Sequence, residues 1–411
     1  MIYTHPTPQS TLLPILHCHL PNCIPLYRRI QHALVHDNPS HSFSLATFPP
    51  SSPPSSSSPW LAAHVNLYRG RETQLFLYSS LEQQSSTVPV LALHDGTYTA
   101  ELTASDAEKD VGRTQLLALL GYLKTNLLPV YLSFLEEQQQ AATNVEEKGV
   151  AKIAPPPSTA FLVGSLHTGV LALLTKSGAY LDEEGYDGVR IIRRDYPAHG
   201  KFVIAQEAFA GTPAELREES SGLESSVSSL SGNSVSSSIS NESITASGNE
   251  LEHEHEHPLP PGYFYHDRHG KSGIQPKDYS LVASRTKIPR SPESLSKMFG
   301  MAIYHRPVAT EAVDEPESES ESPVAWAFLG YEGALATLHV EPEHRGQGLA
   351  IQLVKETLRR GLRDDGVFGE ESKYTWAHVD VTLSNAASRR VMEKVGGKMS
   401  WTDTWAIVEL L

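Results

Sequence analysis

The sequence predicts an α/β fold built from two domains that are separated by a long linker. Strand-like and helical runs alternate through residues 1–210, and a strand, a glycine-bearing turn and an amphipathic helix follow one another inside residues 259–411. Residues 211–258 are Ser-rich and acidic with few core-forming side chains, so we expect a disordered linker there. A chain of 411 residues that is 39% hydrophobic can bury one or two cores, which favours two domains.

The N-terminal domain, residues 1–210, is predicted from its hydrophobic patterns. Helices are expected at 25–34 and 112–135. Strands are expected within five runs, at 12–20, 64–77, 88–93, 161–175 and 189–205. The C-terminal residues 398–411 are expected to form one or two further strands.

The most informative segment lies at residues 334–362. A strand-like run ends in an acidic turn, and Gly346 and Gly348 then lead directly into a helix. The apolar residues of this helix fall at helical spacing, and they are Leu349, Ala350, Leu353, Val354, Leu358 and Leu362. A turn of this kind aims several main-chain amides at one point, where the helix dipole also favours negative charge. The segment therefore predicts a seat for a pyrophosphate group.

The residues around the two glycines narrow the choice of phosphate ligand. A P-loop requires Lys-Ser or Lys-Thr after its second glycine, where this chain has Leu349 and Ala350. A dinucleotide fingerprint requires Gly or Ala three residues after Gly348, where this chain has Ile351. The remaining pattern, Arg-x-x-Gly-x-Ala from Arg345, resembles the loop of the GNAT superfamily of acyl-CoA-dependent N-acyltransferases, which binds the pyrophosphate of coenzyme A. The N-terminal domain has no second loop of this type.

The residues that follow extend the resemblance. The run 374–381 alternates like a strand, with Trp376, His378 and Asp380 on one face, and Asn385 then starts a helix at 386–395. Together with the paired tryptophans after it, this order resembles the glycine N-acyltransferase-like, FR47-like branch of the superfamily over residues 259–411. The resemblance implies a mixed, splayed sheet flanked by helices, preceded by a degenerate GNAT-like or other α/β domain.

The resemblance also implies which residues bind the coenzyme. Main-chain amides around Leu338, His339 and Val340 would hold the pantetheine and the thioester oxygen. The pyrophosphate would lie on Arg345, Gly346, Gln347, Gly348, Leu349 and Ala350. Asn385 and Ser388 would contact the pantetheine, although Asn385 is equally suited to cap its own helix.

Proton transfer is where the sequence departs from this family. Relatives carry an acidic residue at the position of Ala334, so Glu332, two residues earlier and expected on the same strand face, is the first candidate for a general base. His339 and Asp380 are the alternatives. Many relatives carry a Tyr that protonates the leaving thiolate, and the matching residue here is Met392, which has no proton to donate.

These features favour an acyl-CoA-dependent N-acyltransferase, transferring groups other than amino-acyl groups. It would use acetyl-CoA or another acyl-CoA as co-substrate, and its acceptor would be the amine of a small, amino-acid-like molecule. A protein N-acetyltransferase is the nearer alternative. The second alternative is a catalytically inactive acyl-CoA-binding or scaffold protein. The third is a protein whose acidic linker serves as a regulated tether for binding partners.

Composition and charge argue against other classes of partner. The formal net charge of −15 makes binding to nucleic acid or to an anionic membrane unfavourable, and no apolar run reaches the length expected of a transmembrane helix. Two cysteines indicate a reducing compartment, so we expect the cytosol, with mitochondria as the alternative. The sequence leaves the oligomeric state open.

Two apparent metal motifs do not predict a metal site. The His-rich run 253–257 matches a zincin pattern, but prolines follow at once and prevent the helix that this pattern requires. His17, Cys18, His19 and Cys23 lie in the predicted strand 12–20 or just after it, where they would point to opposite faces. We therefore expect no metal cofactor.

Overall fold

The computed structural model describes residues 1–55, 58–70, 72–89, 98–141, 157–209, 257–286, 290–306, 321–364, 367–369 and 376–411. Within them the strands are β1 (Tyr3–Thr4), β2 (Phe43–Ala46), β3 (Leu61–Val65), β4 (Leu75–Ser79), β5 (Ser85–Pro89), β6 (Tyr98–Leu102), β7 (Phe161–His167), β8 (Val189–Arg194), β9 (His199–Ile204), β10 (Tyr263–Phe264), β11 (Phe299–His305), β12 (Ala325–Leu329), β13 (Leu335–Val340), β14 (Ala377–Thr382) and β15 (Lys398–Leu410). The α-helices are Pro8–Thr11, Leu13–His17, Ile24–His36, Asp106–Tyr122, Leu128–Ala141, Thr168–Ala172, Tyr279–Arg285, Pro292–Ser296, Leu349–Arg359 and Ala386–Lys394.

The chain divides into two compact units. The first comprises Met1–Ile204, Leu329–Ala336 and Asp365–Leu411, and the second comprises Ala205–Phe328 and Thr337–Asp364. The first unit thus contains β14 and β15 together with the N-terminal strands. The domain boundaries expected from the sequence stay a prediction, and nearly all of the expected linker 211–258 lies outside the described residues.

A mixed sheet forms the centre of the first unit. Its strand order is β1-β2-β3-β4-β7-β15-β9-β14, with β8 also paired to β15. The β4–β7 pair is parallel, and the other pairs are antiparallel. The long strand β15 pairs with β7 along one edge and with β9 and β8 along the other, so it lies in the interior of the sheet. A separate hairpin joins β5 to β6.

Helices cover both faces of this sheet, as the alternation of β3 shows. Leu61, Ala63 and Val65 pack into a core that includes Leu116, Leu119, Leu120 and Leu123 of the long helix. The intervening Ala62 packs into a second core with Leu26, Tyr27 and Ile30 of the helix Ile24–His36. Successive strand residues point to opposite faces, so each face buries its own helix layer. The predicted α/β class, a mixed sheet flanked by helices, is confirmed.

The long helix corrects one expectation from the sequence. One continuous helical stretch, Asp106–Gln138, is long and apolar enough to cross a membrane by length and composition, although the sequence analysis found no such run. The core helix of a globular unit passes the same test, and a third of the most apolar window is buried here. Its leucines at 116, 119, 120 and 123 belong to the core of the first unit. This single stretch is therefore weak support for a membrane span.

The second unit is built on the sheet β10-β11-β12-β13. The helix Leu349–Arg359 packs against β11. Leu349, Leu353, Val354 and Leu358 of this helix are at most 1% exposed, which confirms the predicted apolar face. Residues 335–340 form β13 as expected, and the helix begins immediately after Gly348.

Several strand predictions in the N-terminal region were wrong or only partly right. Residues 13–17 form a helix instead of a strand, because Pro14 lies in the first turn, where a missing amide proton costs nothing. This places His17 and Cys18 on a helix, and no group of three metal-ligating side chains occurs among the described residues. The run 161–175 is a strand only up to His167, after which Thr168–Ala172 is helical. Residues 398–410 form one strand.

Candidate functional site

The turn between β13 and the helix Leu349–Arg359 is an open, exposed corner of the second unit. Residues Arg345 to Gly348 are exposed. Gly346 and Gly348 have φ values of +81° and +80°, a region that side chains with a Cβ rarely adopt. A Cβ built on either glycine would have no other atom within 4 Å. The two glycines therefore shape the turn, and the space in front of it stays empty of side chains.

The main-chain amides of this turn are available to a ligand. In the described part of the chain, the amides of residues 346–350 donate to no protein acceptor. The helix itself has no side-chain cap, and its N-cap residue is Gly348. Five unpaired N–H groups at the positive end of an eleven-residue helix favour a negatively charged group. The amides of residues 346–350 therefore form a potential main-chain anion-binding site, which we call the anion seat.

A side-chain hydrogen bond from Arg345 stabilises the start of this turn. Its Nε donates a hydrogen bond to the carbonyl oxygen of Val340, at 2.9 Å, across the short helical turn Pro342–His344. The bond ties the end of β13 to the start of the loop. Arg345 thus holds the backbone that carries the amides, and its guanidinium also adds positive charge beside them.

β13, which leads to the loop, has an unusual backbone at Thr337. This residue has a φ of +54°, which is strained for a β-branched side chain. Leu338, His339 and Val340 follow it and are all half-buried. The strained residue lies immediately before Leu338, His339 and Val340, whose main-chain groups would hold the pantetheine according to the family resemblance.

His339 has two fixed neighbours in the second unit. Its ring stacks on Trp326, with centroids 4.7 Å apart, and its Nε2 lies 3.4 Å from a carboxylate oxygen of Glu341. Burial acts to raise the pKa of Glu341, but hydrogen bonds with Arg285 and His339 outweigh it and hold that pKa below its usual value. His339 is therefore a half-buried imidazole that is stacked on Trp326 and lies beside an ionised carboxylate, an arrangement suited to a general base.

Glu332 lies in a turn of the first unit, not on a strand as the sequence analysis expected. The amide of Gly333 donates to the carbonyl of Gly330 at 2.9 Å, which closes the turn. The Glu332 carboxylate folds back over Gly330, where a Cβ would lie 2.7 Å from it. Nε2 of His378 lies 2.9 Å from the Glu332 carbonyl oxygen. The residue is half-buried, so its backbone is fixed while its carboxylate keeps partial access to solvent.

Asp380 belongs to a buried row of polar side chains that crosses four neighbouring strands of the first unit. Lys201 of β9 is fully buried, and its ammonium group pairs with Asp380 of β14 and, at 2.8 Å, with Asp403 of β15. The same ammonium donates to the Ser165 hydroxyl of β7 at 2.7 Å, and that hydroxyl donates to Asp403 at 2.7 Å. Ser165 has a φ of +49°, a strained value for a serine. We call Ser165, Lys201, Asp380 and Asp403 the charged row.

The charged row contains two carboxylates and one ammonium, so one proton is needed to make it neutral. Burial and the charge of Asp403 raise the pKa of Asp380 well above its usual value, although Lys201 opposes this. Burial also acts to raise the pKa of Asp403, but Lys201 and hydrogen bonds outweigh it and lower that pKa. The two carboxylates raise the pKa of Lys201 against the effect of burial. Of the two carboxyl groups, Asp380 is therefore the one whose neutral form is favoured, and its place in this buried ion-paired row makes it a poor candidate for a general base.

His378 lies beside the charged row and stays neutral. Burial, followed by the charge of Lys201, lowers its pKa well below the usual value for histidine. Nδ1 of His378 lies 3.4 Å from the Lys201 ammonium, which is a donor only. Nε2 therefore carries the proton and donates it to the Glu332 carbonyl. His378 and Ala334 also form an isolated parallel bridge, which joins Glu332's turn to β14.

Asn385 acts as a helix cap in the first unit. Its side-chain oxygen accepts a hydrogen bond from the main-chain amide of Ser388, at 3.1 Å, at the start of the helix Ala386–Lys394. Met392, on the same helix, is 1% exposed and packs as a core residue. The structure thus brings Asn385 and Ser388 together, while the sequence analysis missed Ser165, Lys201 and Asp403. No local motif marks these three residues, because their partners are distant in sequence.

Two family models match the chain, one in each half. Residues 1–202 match the family model described as the N-terminal domain of the acyl-CoA N-acyltransferase verG, and residues 316–406 match that of the FR47-like protein. A comparison with curated proteins gives no match.

Similar solved structures are remote in sequence. A Drosophila protein aligns at 12% identity and a TM-score of 0.47, covering 99% of this chain and 97% of its own. A tandem GNAT protein from the clavulanic acid biosynthesis pathway aligns at 12% identity and a TM-score of 0.37, covering 99% and 97%. A GCN5-related N-acetyltransferase from Sphaerobacter thermophilus aligns at 10% and 0.40, covering 100% and 95%. Similarities this remote do not bear on substrate or mechanism.

Proposed function

We propose that the chain is a GNAT-type acyl-CoA N-acyltransferase, as the two matching family models suggest, and that it transfers an acyl group from coenzyme A to the amine of a small, amino-acid-like acceptor. The donor would be acetyl-CoA or a longer acyl-CoA. Acceptance of a protein N-terminus or a lysine side chain is the nearest alternative within the same chemistry.

One observation carries the proposal, namely the open anion seat at residues 346–350. Among the described residues, the five amides of 346–350 have no protein acceptor, and a Cβ on Gly346 or Gly348 would meet no other atom within 4 Å. A buried, plugged or side-chain-capped turn would leave no place for a diphosphate. Here the main chain is already arranged for one, so little ordering cost remains when the ligand binds.

The reaction requires one bond to form and one to break. The acceptor nitrogen attacks the thioester carbon, the C–N bond forms, and the C–S bond breaks to release the coenzyme thiolate. One proton must leave the nitrogen, and the thiolate must gain one. The loop at 345–350 would hold the pyrophosphate, and main-chain groups of residues 338–340 would face the pantetheine and the thioester oxygen.

Of the three base candidates, His339 is the one that the geometry supports best. Its imidazole is oriented by Glu341 and is held flat against Trp326. Glu332 has a carboxylate in a turn, with no comparable orienting group described beside it. Asp380 is paired with the buried Lys201, and its pKa is raised well above the usual value by burial and by the charge of Asp403, so it is poorly placed to act as the base.

Replacing His339 by Gln tests the base. We expect kcat to fall by about 10²–10⁴, the usual contribution of a general base, with coenzyme affinity nearly unchanged. Glu332→Gln is the matched comparison and should retain most activity. The assignment would be wrong if Glu332→Gln abolished turnover while His339→Gln kept it.

Thiol release from acyl-CoA tests the function as a whole. Purified full-length protein is incubated with acetyl-CoA and longer acyl-CoAs, each with a panel of amino acids and peptides, and free coenzyme thiol is measured. Gly348→Trp should weaken coenzyme binding by at least about tenfold, since a large side chain would cover the amides and hydrogen bonds to a charged group would be lost. Gly270→Trp is the matched control, because Gly270 has a φ of +75° and open space like Gly348 but lies in another turn.

A catalytically inactive coenzyme-binding protein is the second candidate. It is favoured by Ala334 at the position of an acidic residue and by the core residue Met392 at the position of a proton-donating Tyr. This candidate predicts coenzyme binding that is lost in Gly348→Trp, with no thiol release for any acyl donor and acceptor pair. Thiol release that depends on His339 would exclude it.

A further inference from the structure

The strand β8 leaves one edge of the sheet in the first unit open. β8 pairs with β15, and with no other strand in the described part of the chain. Beyond that ladder, the main-chain groups of residues 190–194 make no hydrogen bond to any residue that the structure describes. Consecutive residues of β15 face Ile191 and Arg193, so Ile192 forms a bulge between them without a cross-strand partner. An open edge of this kind can pair with another extended chain.

A groove of about 600 Å³ lies at this edge, a volume within the usual range for ligand sites in proteins. Leu181 and Ile191 line it and pack against the core of the first unit. Ile192 and Tyr196 also line it, and they are 39% and 50% exposed. Large apolar side chains exposed together indicate a surface that a partner covers. We call this feature the edge groove.

Hydrogen bonds from Arg194 fix the walls of the edge groove. Its guanidinium donates to the carbonyl oxygen of Leu181, at 2.7 Å, and to that of Asp182, at 2.6 Å. The same group lies over the ring of Tyr180. These contacts hold the loop at 181–182 against the end of β8. A groove whose walls are already fixed loses little conformational entropy when it binds a partner.

The two faces of the open edge differ in chemistry. Ile191 lies opposite Val408, and both pack against the core that contains the leucines of the long helix, so this face is apolar. Arg193 lies opposite Ile407, which belongs to a separate cluster on the other face of the sheet. Cross-strand partners share a face, so the side chain of Arg193 lies on that second face. One face of the edge is therefore apolar and the other carries a cation.

Arg193 is the cation of the edge groove that remains available to a partner. Arg190 pairs with Glu409, and the guanidinium of Arg194 is bonded to carbonyl oxygens. Arg193 is exposed, and it has no ion pair or hydrogen bond within the described residues. Glu183 also lines the groove and is exposed, but it does not pair with Arg193. An acidic side chain is thus attracted beside Arg193 and repelled beside Glu183.

We propose that the edge groove binds an extended segment of another protein in which apolar and acidic residues alternate. The segment adds to the sheet as a further strand beside β8, with its main chain bonded to residues 190–194. Its apolar side chains lie on the face of Leu181 and Ile191, and its acidic side chains lie on the face of Arg193. Binding at this edge is a second activity of the protein and is independent of acyl transfer.

A second copy of β8 is a poor occupant of the edge groove. Three of the six residues of β8 are arginines. Pairing two such strands would bring like charges next to one another, which destabilises a strand pair. An acidic strand makes the opposite, favourable charge pairs.

Fluorescence anisotropy of short labelled peptides, titrated with the full-length protein, tests this inference. The first peptide alternates Val with Asp, the second has Lys in place of each Asp, and the third has the composition of the first with its Val and Asp residues grouped in two blocks. We expect saturable binding of the alternating acidic peptide. The Lys peptide should bind at least about tenfold more weakly because its charge pairs are reversed, and the block peptide should also bind more weakly because it cannot match both faces.

Arg193→Glu is the most informative variant. It should weaken binding of the alternating acidic peptide about three- to tenfold and strengthen binding of the Lys peptide by a similar factor. Unfolding cannot cause such an exchange, since it would weaken binding of both peptides. Arg193→Gln should reduce the difference between the two peptides. Arg390→Glu is the matched control, because Arg390 is exposed on the helix Ala386–Lys394 of the same unit, and it should keep the wild-type preference.

Three results would overturn the inference. The first is equal affinity for all three peptides, or binding of none. The second is a wild-type preference that persists in both Arg193→Glu and Arg193→Gln. The third is a dimer of the wild-type protein in sedimentation velocity that the acidic peptide does not dissociate and that Arg193→Glu abolishes, because the edge groove would then belong to a second copy of the chain.

Discussion

Replacing Lys201 by Met should destabilise the first unit severely. Lys201 is fully buried, and its ammonium contacts Asp380, Asp403 at 2.8 Å and Ser165 at 2.7 Å. Methionine fills much of the same volume but leaves two buried carboxyl groups without their cation. Removing one member of a buried, hydrogen-bonded ion pair costs about 3–5 kcal/mol, which is a large part of the total stability of a typical domain.

The loss of stability caused by Lys201→Met should grow as the pH rises. Without Lys201, both carboxyl groups should have folded-state pKa values above the unfolded value of about 3.9. Such groups support folding below the unfolded pKa, and this support is lost as the pH rises towards the folded pKa. In the wild type only Asp380 has a raised pKa, because Lys201 lowers that of Asp403. The difference in the free energy of unfolding between wild type and Lys201→Met should therefore increase between pH 5 and pH 8. The contribution of Asp403 is up to about 1.4 kcal/mol per pH unit.

Urea unfolding followed by tryptophan fluorescence at pH 5, 6, 7 and 8 measures this gap. Lys176→Met is the matched control, because Lys176 lies in the same unit and pairs with Glu184 at 2.7 Å on the surface. It should leave the transition unchanged, since solvent screens exposed pairs. The reasoning about the charged row fails if Lys201→Met costs under about 1 kcal/mol at pH 7, or if its deficit is larger at pH 5 than at pH 8.

Other substitutions test the remaining assignments. Asp380→Asn should change the free energy of unfolding by less than about 1 kcal/mol, because the raised pKa of Asp380 favours its neutral form, whereas Asp403→Asn should cost about 3 kcal/mol because the pKa of Asp403 is lowered. Equal losses in urea unfolding would contradict this assignment of the two carboxyl groups. Asn385→Ala should cost about 1 kcal/mol through the lost cap, and Asn385→Asp should restore it. A large drop in coenzyme affinity for Asn385→Ala at unchanged stability would instead assign this side chain to the pantetheine.

Local patterns predicted the elements that depend on nearby residues. The helix after Asn385 and the amphipathic helix after Gly348 follow from capping, glycine and apolar spacing, all within a few residues. Part of the segment 12–20, expected to be a strand, is a helix at Leu13–His17, and Pro14 occupies a position in its first turn that tolerates proline. The long helix was likewise underestimated as an apolar stretch, because its polar residues face outward between buried leucines.

The charged row could not be predicted, because its members are far apart in sequence. Lys201 and Asp380 are direct partners across β9 and β14, but 179 positions separate them in the chain. Only the strand order identifies Lys201, and with it the reason why Asp380 is unsuited to the role of base. The positive φ of the loop glycines Gly346 and Gly348, by contrast, can be expected from the sequence of the loop alone.

The interior position of β15 has a consequence for how the protein is made. Its edges are filled by β7 on one side and by β9 and β8 on the other, so the sides of those three strands that pair with β15 stay unpaired until residues 398–410 have left the ribosome. Nascent chains would meanwhile expose unsatisfied strand borders that invite mispairing between neighbouring polypeptides. Chaperone dependence during synthesis, and precipitation of any fragment cut before Lys398, are the practical outcomes to anticipate.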